Sequence, residues 1–242
     1  MNINIKDNWA LITGGAIGIG AEIAKDIAKT GANIVITYRK SKKDANNLVL
    51  NLEKKYNVKA LAYKLDSTIE KDVNNFFKEF YKEGIIFNIL INNVGDYLYK
   101  NILDTTYSEW SYIIKNNLDA TFIMISEFLK YREDIKWGRI ISIGYMNSGA
   151  KRATPNITPY YIAKSGIYYL TLSLAKELAD KNITVNMISP GVMENSVNIG
   201  KKLPIYRHGK LSELSSAVLY LLSDNTNYLT GSQIDISGGF GF

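Results

Sequence analysis

The sequence predicts an α/β fold, one doubly wound parallel sheet of about seven strands with helices on both faces. Three observations predict it. Short apolar runs without strict alternation recur along the chain, as strands covered on both faces require. Long stretches of helical periodicity separate them, so successive strands are joined by crossovers and run parallel. The first run ends directly in a glycine cluster, "TGGAIGIG" (Thr13–Gly20), which opens a helix.

In order, "NWALIT" (Asn8–Thr13) is the first strand, and the helical pattern from Ala21 to Lys29 stops at Gly31. "NIVITY" (Asn33–Tyr38) is the second strand, followed by a helix through Tyr56 and a strand at Lys59–Leu65. A helix near Asp72–Glu83 leads to the strand "FNILINN" (Phe87–Asn93), and a long helix is expected near Ser108–Lys130. The strand "GRIISI" (Gly138–Ile143), a helix near Pro159–Asp180 and the strand "ITVNMIS" (Ile183–Ser189) come next. A helix near Ser212–Ser223 precedes the last strand, "SQIDIS" (Ser232–Ser237). Right-handed crossovers then put helices on both faces and ligands at the carboxyl ends of the strands.

Composition sets the bounds. With 242 residues, 46% hydrophobic and 21% charged, the chain can bury a large core. No linker, repeat or low-complexity tract divides it, so a single domain over residues 1–242 is expected. The absence of cysteine excludes disulfides and thiolate chemistry and fits a cytoplasmic setting. The opening "MNINIKDNWALITGG" reaches its glycine turn too soon for a signal peptide or a membrane span, so no membrane association is expected. The net charge of +6 comes from lysines scattered among acids on helical stretches, a solvated face and not a nucleic-acid stripe. No metal site is expected.

Gly14, Gly18 and Gly20 leave room for backbone N–H groups and a helix N-terminus to approach a pyrophosphate. The context of a strand before and an amphipathic helix after makes this a dinucleotide cradle rather than a turn. A binder of NAD keeps an acid at the end of the second strand for the ribose 2′-hydroxyl. That place holds Tyr38, Arg39 and Lys40, so NADP(H) is expected in preference to NAD(H), with the Arg39 guanidinium on the 2′-phosphate.

The stretch "TPYYIAKSG" (Thr158–Gly166) sets two tyrosines before one lysine. On a helix Lys164 can meet Tyr160 at i+4 and Tyr161 at i+3, so spacing leaves the choice open.

Together "TGGAIGIG", "LD" (Leu65–Asp66), "NNVG" (Asn92–Gly95), Asn117 in "KNNL", "YYIAK", "SPG" (Ser189–Gly191) and the closing "TGSQIDISGG" (Thr230–Gly239) resemble the short-chain dehydrogenase/reductase family. The resemblance spans essentially the whole chain and is nearest to 3-oxoacyl-[acyl-carrier-protein] reductase-like members. It implies a Rossmann-type fold, with Tyr160 as proton donor to a carbonyl substrate and Tyr161 as a packing neighbour. Lys164 would lower the phenol's pKa and hold the nicotinamide ribose, and Asn117 would position a water behind it. The cofactor set it implies is Gly14, Ala16, Gly18, Ile19 and Gly20 at the pyrophosphate. Leu65 and Asp66 would meet the adenine and Asn93 the adenosine ribose, with Gly95 keeping the turn close. Pro190, Gly191 and Met193 would bracket the nicotinamide carboxamide. The family also implies a homotetramer or a homodimer, packed through the helices near Ser108–Lys130 and Pro159–Asp180 and through the C-terminal strand and tail.

The chain departs from the pattern twice. The serine that usually follows "GRI" is replaced by Tyr145, with Ser148 able to reach the slot if the loop bulges, while Ser142 should face the other way. Tyr145 ranks first as the substitute donor. The segment between Gly191 and Arg207 is shorter than the usual lid, which implies an open pocket with Tyr97, Tyr99, Tyr145, Met146, Tyr161 and Tyr206 as candidate walls. The lone His208 is read as structural or solvent-facing. Three functions follow: reduction of a ketone or 3-oxoacyl thioester, reduction of a pterin-like ring, and non-catalytic dinucleotide binding.

Overall fold

In the computed structural model, residues 3–196 and 203–241 are described. The first half runs β1 (Trp9–Ile12), α1 (Gly18–Ala28), β2 (Asn33–Tyr38), α2 (Lys42–Tyr56), β3 (Ala60–Lys64), α3 (Glu70–Lys82) and β4 (Phe87–Asn92). The second runs α4 (Tyr107–Ile114), α5 (Ala120–Leu129), β5 (Gly138–Ile143), α6 (Thr158–Glu177), β6 (Ile183–Pro190), α7 (Leu211–Leu221) and β7 (Gln233–Ile236).

The seven strands form one sheet in the order β3-β2-β1-β4-β5-β6-β7, every neighbouring pair parallel. The apolar strands are buried on both faces because each face carries its own core. Ile12, Ile36, Ile89 and Ile141 pack against α1, α2 and α7, while Leu11, Val35, Leu90 and Ile140 pack against α3, α5 and the end of α6. The strand order reverses between β1 and β4, which opens the crevice at their carboxyl ends. Among the described residues no helix is long and apolar enough to cross a membrane.

One element differs in kind from the sequence expectation. The long helix expected near Ser108–Lys130 is interrupted by a π-turn at Lys115–Asp119, between α4 and α5. The side chains supply the reason: Asn117 Nδ2 donates to the Ile113 carbonyl at 3.0 Å and Asn116 Nδ2 to the Tyr112 carbonyl at 2.9 Å, taking up carbonyls that the wider turn reorients. The bulge sits where it aims Asn117 at the crevice.

Candidate active site

The crevice begins at the glycine turn. Gly14 and Gly18 hold φ of +60° and +58°, a left-handed backbone that residues with a Cβ rarely adopt. A Cβ at Gly20 would lie 2.7 Å from both Asn93 Nδ2 and the Gly14 carbonyl oxygen. Ile17 stands at the N-cap of α1 and offers no side-chain acceptor, so the first N–H groups of the helix have no side-chain cap. A cradle that a Cβ would fill, leading into an uncapped helix end, fits a dinucleotide pyrophosphate. Ala16 is buried in the turn and Ile19 partly so.

Thr13 and Asn93 brace this turn. Asn93 Nδ2 donates to the carbonyls of Thr13 at 3.0 Å and Gly14 at 3.2 Å. Thr13 Oγ1 accepts the backbone N–H groups of Asn93 at 2.9 Å and Val94 at 3.2 Å. Sequence reasoning had no signal for Thr13, nor for Gly15, where a Cβ would come within 2.6 Å of Ile36 Cγ2.

At the end of β2, Tyr38 is buried while Arg39 and Lys40 are exposed. Arg39 reaches over the crevice, donating from Nη1 to Asn116 Oδ1 at 2.9 Å, and its Nη2 lies 3.5 Å from Asp96 Oδ2. Leu65 is buried, its N–H on the Tyr38 carbonyl at 3.0 Å. Burial works against the Asp66 carboxylate, but two hydrogen bonds from Thr68 and the charges of Arg39 and Lys115 outweigh it and hold its pKa below the usual carboxylate range.

Residues from three segments, Asn117 of the π-turn, Gly95 beyond β4, and Tyr160 and Lys164 of α6, come together at the ends of β4 and β5. Asn117 is fully buried and donates from Nδ2 to the carbonyls of Asp96 at 2.9 Å and Ile113 at 3.0 Å, while its Oδ1 has no partner among the described residues. A Cβ at Gly95 would collide with that Oδ1 and lie 3.0 Å from Lys164 Nζ, so amide oxygen and amine converge on the one residue with no side chain. Lys164 is buried and donates to the Ile143 carbonyl at 2.8 Å. Burial lowers its pKa from 10.5 to about 8. Its Nζ is 5.7 Å from the ring centroid of Tyr160, one helical turn earlier on α6.

The expectation that Lys164 lowers the Tyr160 pKa is not met in this geometry. Burial pushes the phenol up, with Tyr145 and Tyr97 adding to the rise, because the amine points at the Ile143 carbonyl and the surroundings are aromatic. Tyr97 and Tyr145 meet the Tyr160 ring edge-on, with centroids at 5.0 and 5.6 Å. The adjacent Tyr161 faces elsewhere: its hydroxyl donates to the carbonyls of Asn147 at 2.7 Å and Ala150 at 2.9 Å.

The same loop separates Tyr145 from Ser148. Ser148 is buried and turns its hydroxyl back onto the Tyr145 carbonyl, whereas the Tyr145 ring stands against Tyr160. Asn147, at φ 57°, ties the loop to the last strand and tail: its N–H donates to Asp235 at 3.1 Å and its Nδ2 to the Gly241 carbonyl at 2.9 Å. Ser142 is buried in the sheet opposite Asn92, its hydroxyl without a partner among the described residues.

Beyond β6, the Gly191 N–H donates to the Ile236 carbonyl at 3.0 Å, and a Cβ there would lie 2.7 Å from Ser237 Cα, so Pro190–Gly191 passes close over β7. Met193 is buried and bridges to Gly209. Residues 197–202 of the short lid lie outside the described residues. Of the candidate walls, Tyr97 and Tyr145 reach Tyr160, Met146 is buried beside Gly241, and Tyr99 and Tyr206 are exposed to solvent. His208 lends its carbonyl to Arg207.

Comparison with known proteins gives a consistent answer. A family described as enoyl-(acyl carrier protein) reductase matches residues 14–241. The 3-oxoacyl-[acyl-carrier-protein] reductase FabG of Aquifex aeolicus is 32% identical, covering 99% of each chain. The NADP-dependent mannitol dehydrogenase of Hypocrea jecorina is 29% identical over 98% of this chain and 93% of its own. A short-chain dehydrogenase from Burkholderia cenocepacia, solved in complex with NADP, superposes with a TM-score of 0.89 at 26% identity over 98% of each chain. Whole-length likeness in sequence and in fold agrees with the ordered motifs, and the chain belongs to the short-chain dehydrogenase/reductase family of oxidoreductases.

Proposed function

We propose that this protein is an NADP(H)-dependent reductase that converts a carbonyl to an alcohol, with Tyr160 as proton donor. The observation that carries the reading is that Lys164 Nζ and the Asn117 Oδ1, without a partner among the described residues, converge on Gly95, with the Tyr160 ring 5.7 Å from Lys164 Nζ. The bound dinucleotide would supply hydride to the carbonyl carbon. Gly14, Ala16, Gly18, Ile19 and Gly20 would hold its pyrophosphate, Leu65, Asp66 and Asn93 its adenosine, and Pro190, Gly191 and Met193 its carboxamide.

The chain's own groups do the rest. The raised pKa of Tyr160 keeps its proton in place at neutral pH until the developing alkoxide takes it. Lys164, mostly charged below about 8, supplies the positive field that steadies the oxygen and the phenolate left behind. Asn117 Oδ1 would accept from a water that returns a proton through Lys164. The Tyr145 hydroxyl would hold the carbonyl oxygen in place of the absent serine, because the Tyr145 ring meets Tyr160 while the Ser148 hydroxyl is committed to backbone.

The NADP preference rests on Arg39 with no acid beside it at the end of β2, and the NADP named for two relatives supports it. Arg39→Asp should weaken NADPH tenfold or more and spare NADH, since charge-assisted bonds are worth about 1.5–3 kcal/mol. Titration of both cofactors against both proteins tests it, and a wild type that prefers NADH would refute it.

For substrate, a 3-oxoacyl thioester is the first candidate, as the Aquifex relative's name suggests. NADPH consumption across 3-oxoacyl thioesters, sugars, quinones and pterins tests the class. Turnover of pterins alone would favour ring reduction, and turnover of none would favour a binding role. Tyr112 on α4, Phe122 on α5 and Ile162 and Tyr169 on α6 are exposed apolar residues, which supports a tetramer or dimer through these helices. Light scattering that returns the 27.2 kDa monomer at micromolar concentration would refute it.

A further inference from the structure

Arg39 does not wait with a free guanidinium. Its Nη2 lies 3.5 Å from Asp96 Oδ2 and 3.5 Å from the Tyr112 hydroxyl, and Nη1 donates to Asn116 Oδ1 at 2.9 Å. Tyr112 donates its own hydroxyl to the same Asp96 Oδ2 at 2.6 Å. Asp96 lies four residues beyond β4, after Gly95, and Arg39 directly follows Tyr38 at the end of β2. These strands flank β1, so the pair spans the mouth of the crevice above the glycine turn.

We propose that Asp96 is a specificity-determining residue: a resident carboxylate that holds the Arg39 guanidinium as a 2′-phosphate would, and so limits the margin by which NADPH is preferred to NADH. The inference rests on the reading of Arg39 as the 2′-phosphate ligand. Three features point to it. The carboxylate is oriented toward Arg39 by a hydrogen bond from the Tyr112 hydroxyl at 2.6 Å. The Asn116 amide oxygen accepts from Nη1 and the Asp96 carboxylate forms an ion pair with Nη2 at 3.5 Å, so both terminal nitrogens, the two that a phosphate would take, already face oxygens. A dianionic phosphate arriving at Arg39 therefore competes with Asp96 for the guanidinium and meets it as a like charge, whereas a ribose 2′-hydroxyl does neither. Both side chains of the pair are about 40% exposed (39% and 41%), so water screens the contact and the handicap is modest.

The same residue touches the catalytic group through a different atom. The Asp96 carbonyl accepts from Asn117 Nδ2, so substitutions that change only the carboxylate leave that backbone bond available.

The test is binding of NADPH and NADH, by fluorescence titration at low and at high salt, to wild type, Asp96→Asn, Asp96→Ser and Arg39→Ala. Removing the carboxylate should tighten NADPH about three- to tenfold at low salt, less at high salt, with NADH within about twofold of wild type. The serine variant guards against an asparagine that keeps Arg39 by a neutral hydrogen bond. If Arg39→Ala loses the NADPH preference but neither Asp96 variant tightens NADPH, this inference fails and the cofactor reading stands. If both Asp96 variants tighten NADH as much as NADPH, the carboxylate does not act on the 2′-phosphate and the inference fails. If Arg39→Ala leaves NADPH affinity unchanged, the cofactor reading fails and this inference with it.

Discussion

At the glycine turn, Thr13 and Asn93 put a hydroxyl and an amide N–H onto backbone groups, and the turn itself consists of residues chosen for having little side chain. Some residues further along the crevice, Tyr97, Tyr145 and Tyr160 meet edge to edge, and among the described residues none of their three hydroxyls has a hydrogen-bond partner. On the proposed reading this turn is the cofactor end, and it is preformed by backbone bonding that a ligand need not disturb. The proposed substrate end holds these three phenols, whose partners would come from the substrate or from water. A change at the first end should act on folding and binding, and a change at the second on turnover.

The largest effect expected from this contrast is at Tyr160. Phenylalanine keeps the ring between Tyr97 and Tyr145 but removes the proton, so turnover should fall by about 10²–10⁴ with NADPH affinity almost unchanged. Steady-state rates with an authentic substrate, set beside a cofactor titration, separate the two. A parallel loss of affinity would mean that the two ends are coupled and the contrast is wrong.

Tyr145→Phe is the next step down. If its hydroxyl holds the carbonyl oxygen, turnover should drop by about 10–10³, at or below the loss from deleting one oxyanion donor. Ser148→Ala should cost less, because that hydroxyl already serves the Tyr145 carbonyl. The reverse ranking in the same assay would hand the donor role to Ser148.

Acidity offers a third probe. Lys164, lowered to about 8 by burial, is charged below that pH and neutral above it. Tyr160, raised by burial, keeps its proton across the same range. Reductive turnover should therefore hold at neutral pH and decline as pH rises past about 8, approaching tenfold per unit. A rate profile from pH 6 to 10 checks it, and a flat profile would show that the ammonium is not needed. The same depression acts on stability: between about 8 and the ordinary 10.5 the unfolded chain binds the extra proton, so this group adds stability as pH rises through that window.

The two ends also differ in how far the sequence exposes them. The cradle is legible because residue type favours it: glycine adopts the left-handed φ of Gly14 and Gly18 without strain, and the strand before and helix after fix where it lies. The strands read well for the same reason, since an apolar run covered on both faces has one place to go. What stays hidden depends on where the chain turns. The hydrophobic periodicity runs straight through Lys115–Asp119, so nothing in it marks the π-turn that aims Asn117. The contact of Arg39 with Asp96 joins residues 57 positions apart, just beyond two strands that flank a third, and neither residue alone signals the contact. Tyr160 and Tyr161 differ by one residue and are both within reach of Lys164; only the path of the loop from Gly144 to Thr158 decides which hydroxyl is already used.

That last point gives the smallest effect and the sharpest check. Tyr161 is buried, and its hydroxyl is shared between the carbonyls of Asn147 and Ala150. These carbonyls belong to the loop that carries Tyr145, and Asn147 is also tied to Asp235 and Gly241. Tyr161→Phe keeps the ring and leaves the two carbonyls without this donor, a loss of about 1–3 kcal/mol for a buried group stripped of its partner. In a chain of this length, each 1 kcal/mol lowers Tm by about 2–4 °C. Turnover should stay within a few-fold of wild type, because Asp235 and the tail still hold the loop and Tyr145 keeps its place beside Tyr160. Thermal unfolding and kinetics on one preparation decide the matter. A variant as stable as wild type but crippled in turnover would make Tyr161 a reacting group, and the division of labour between the paired tyrosines would have to be reversed.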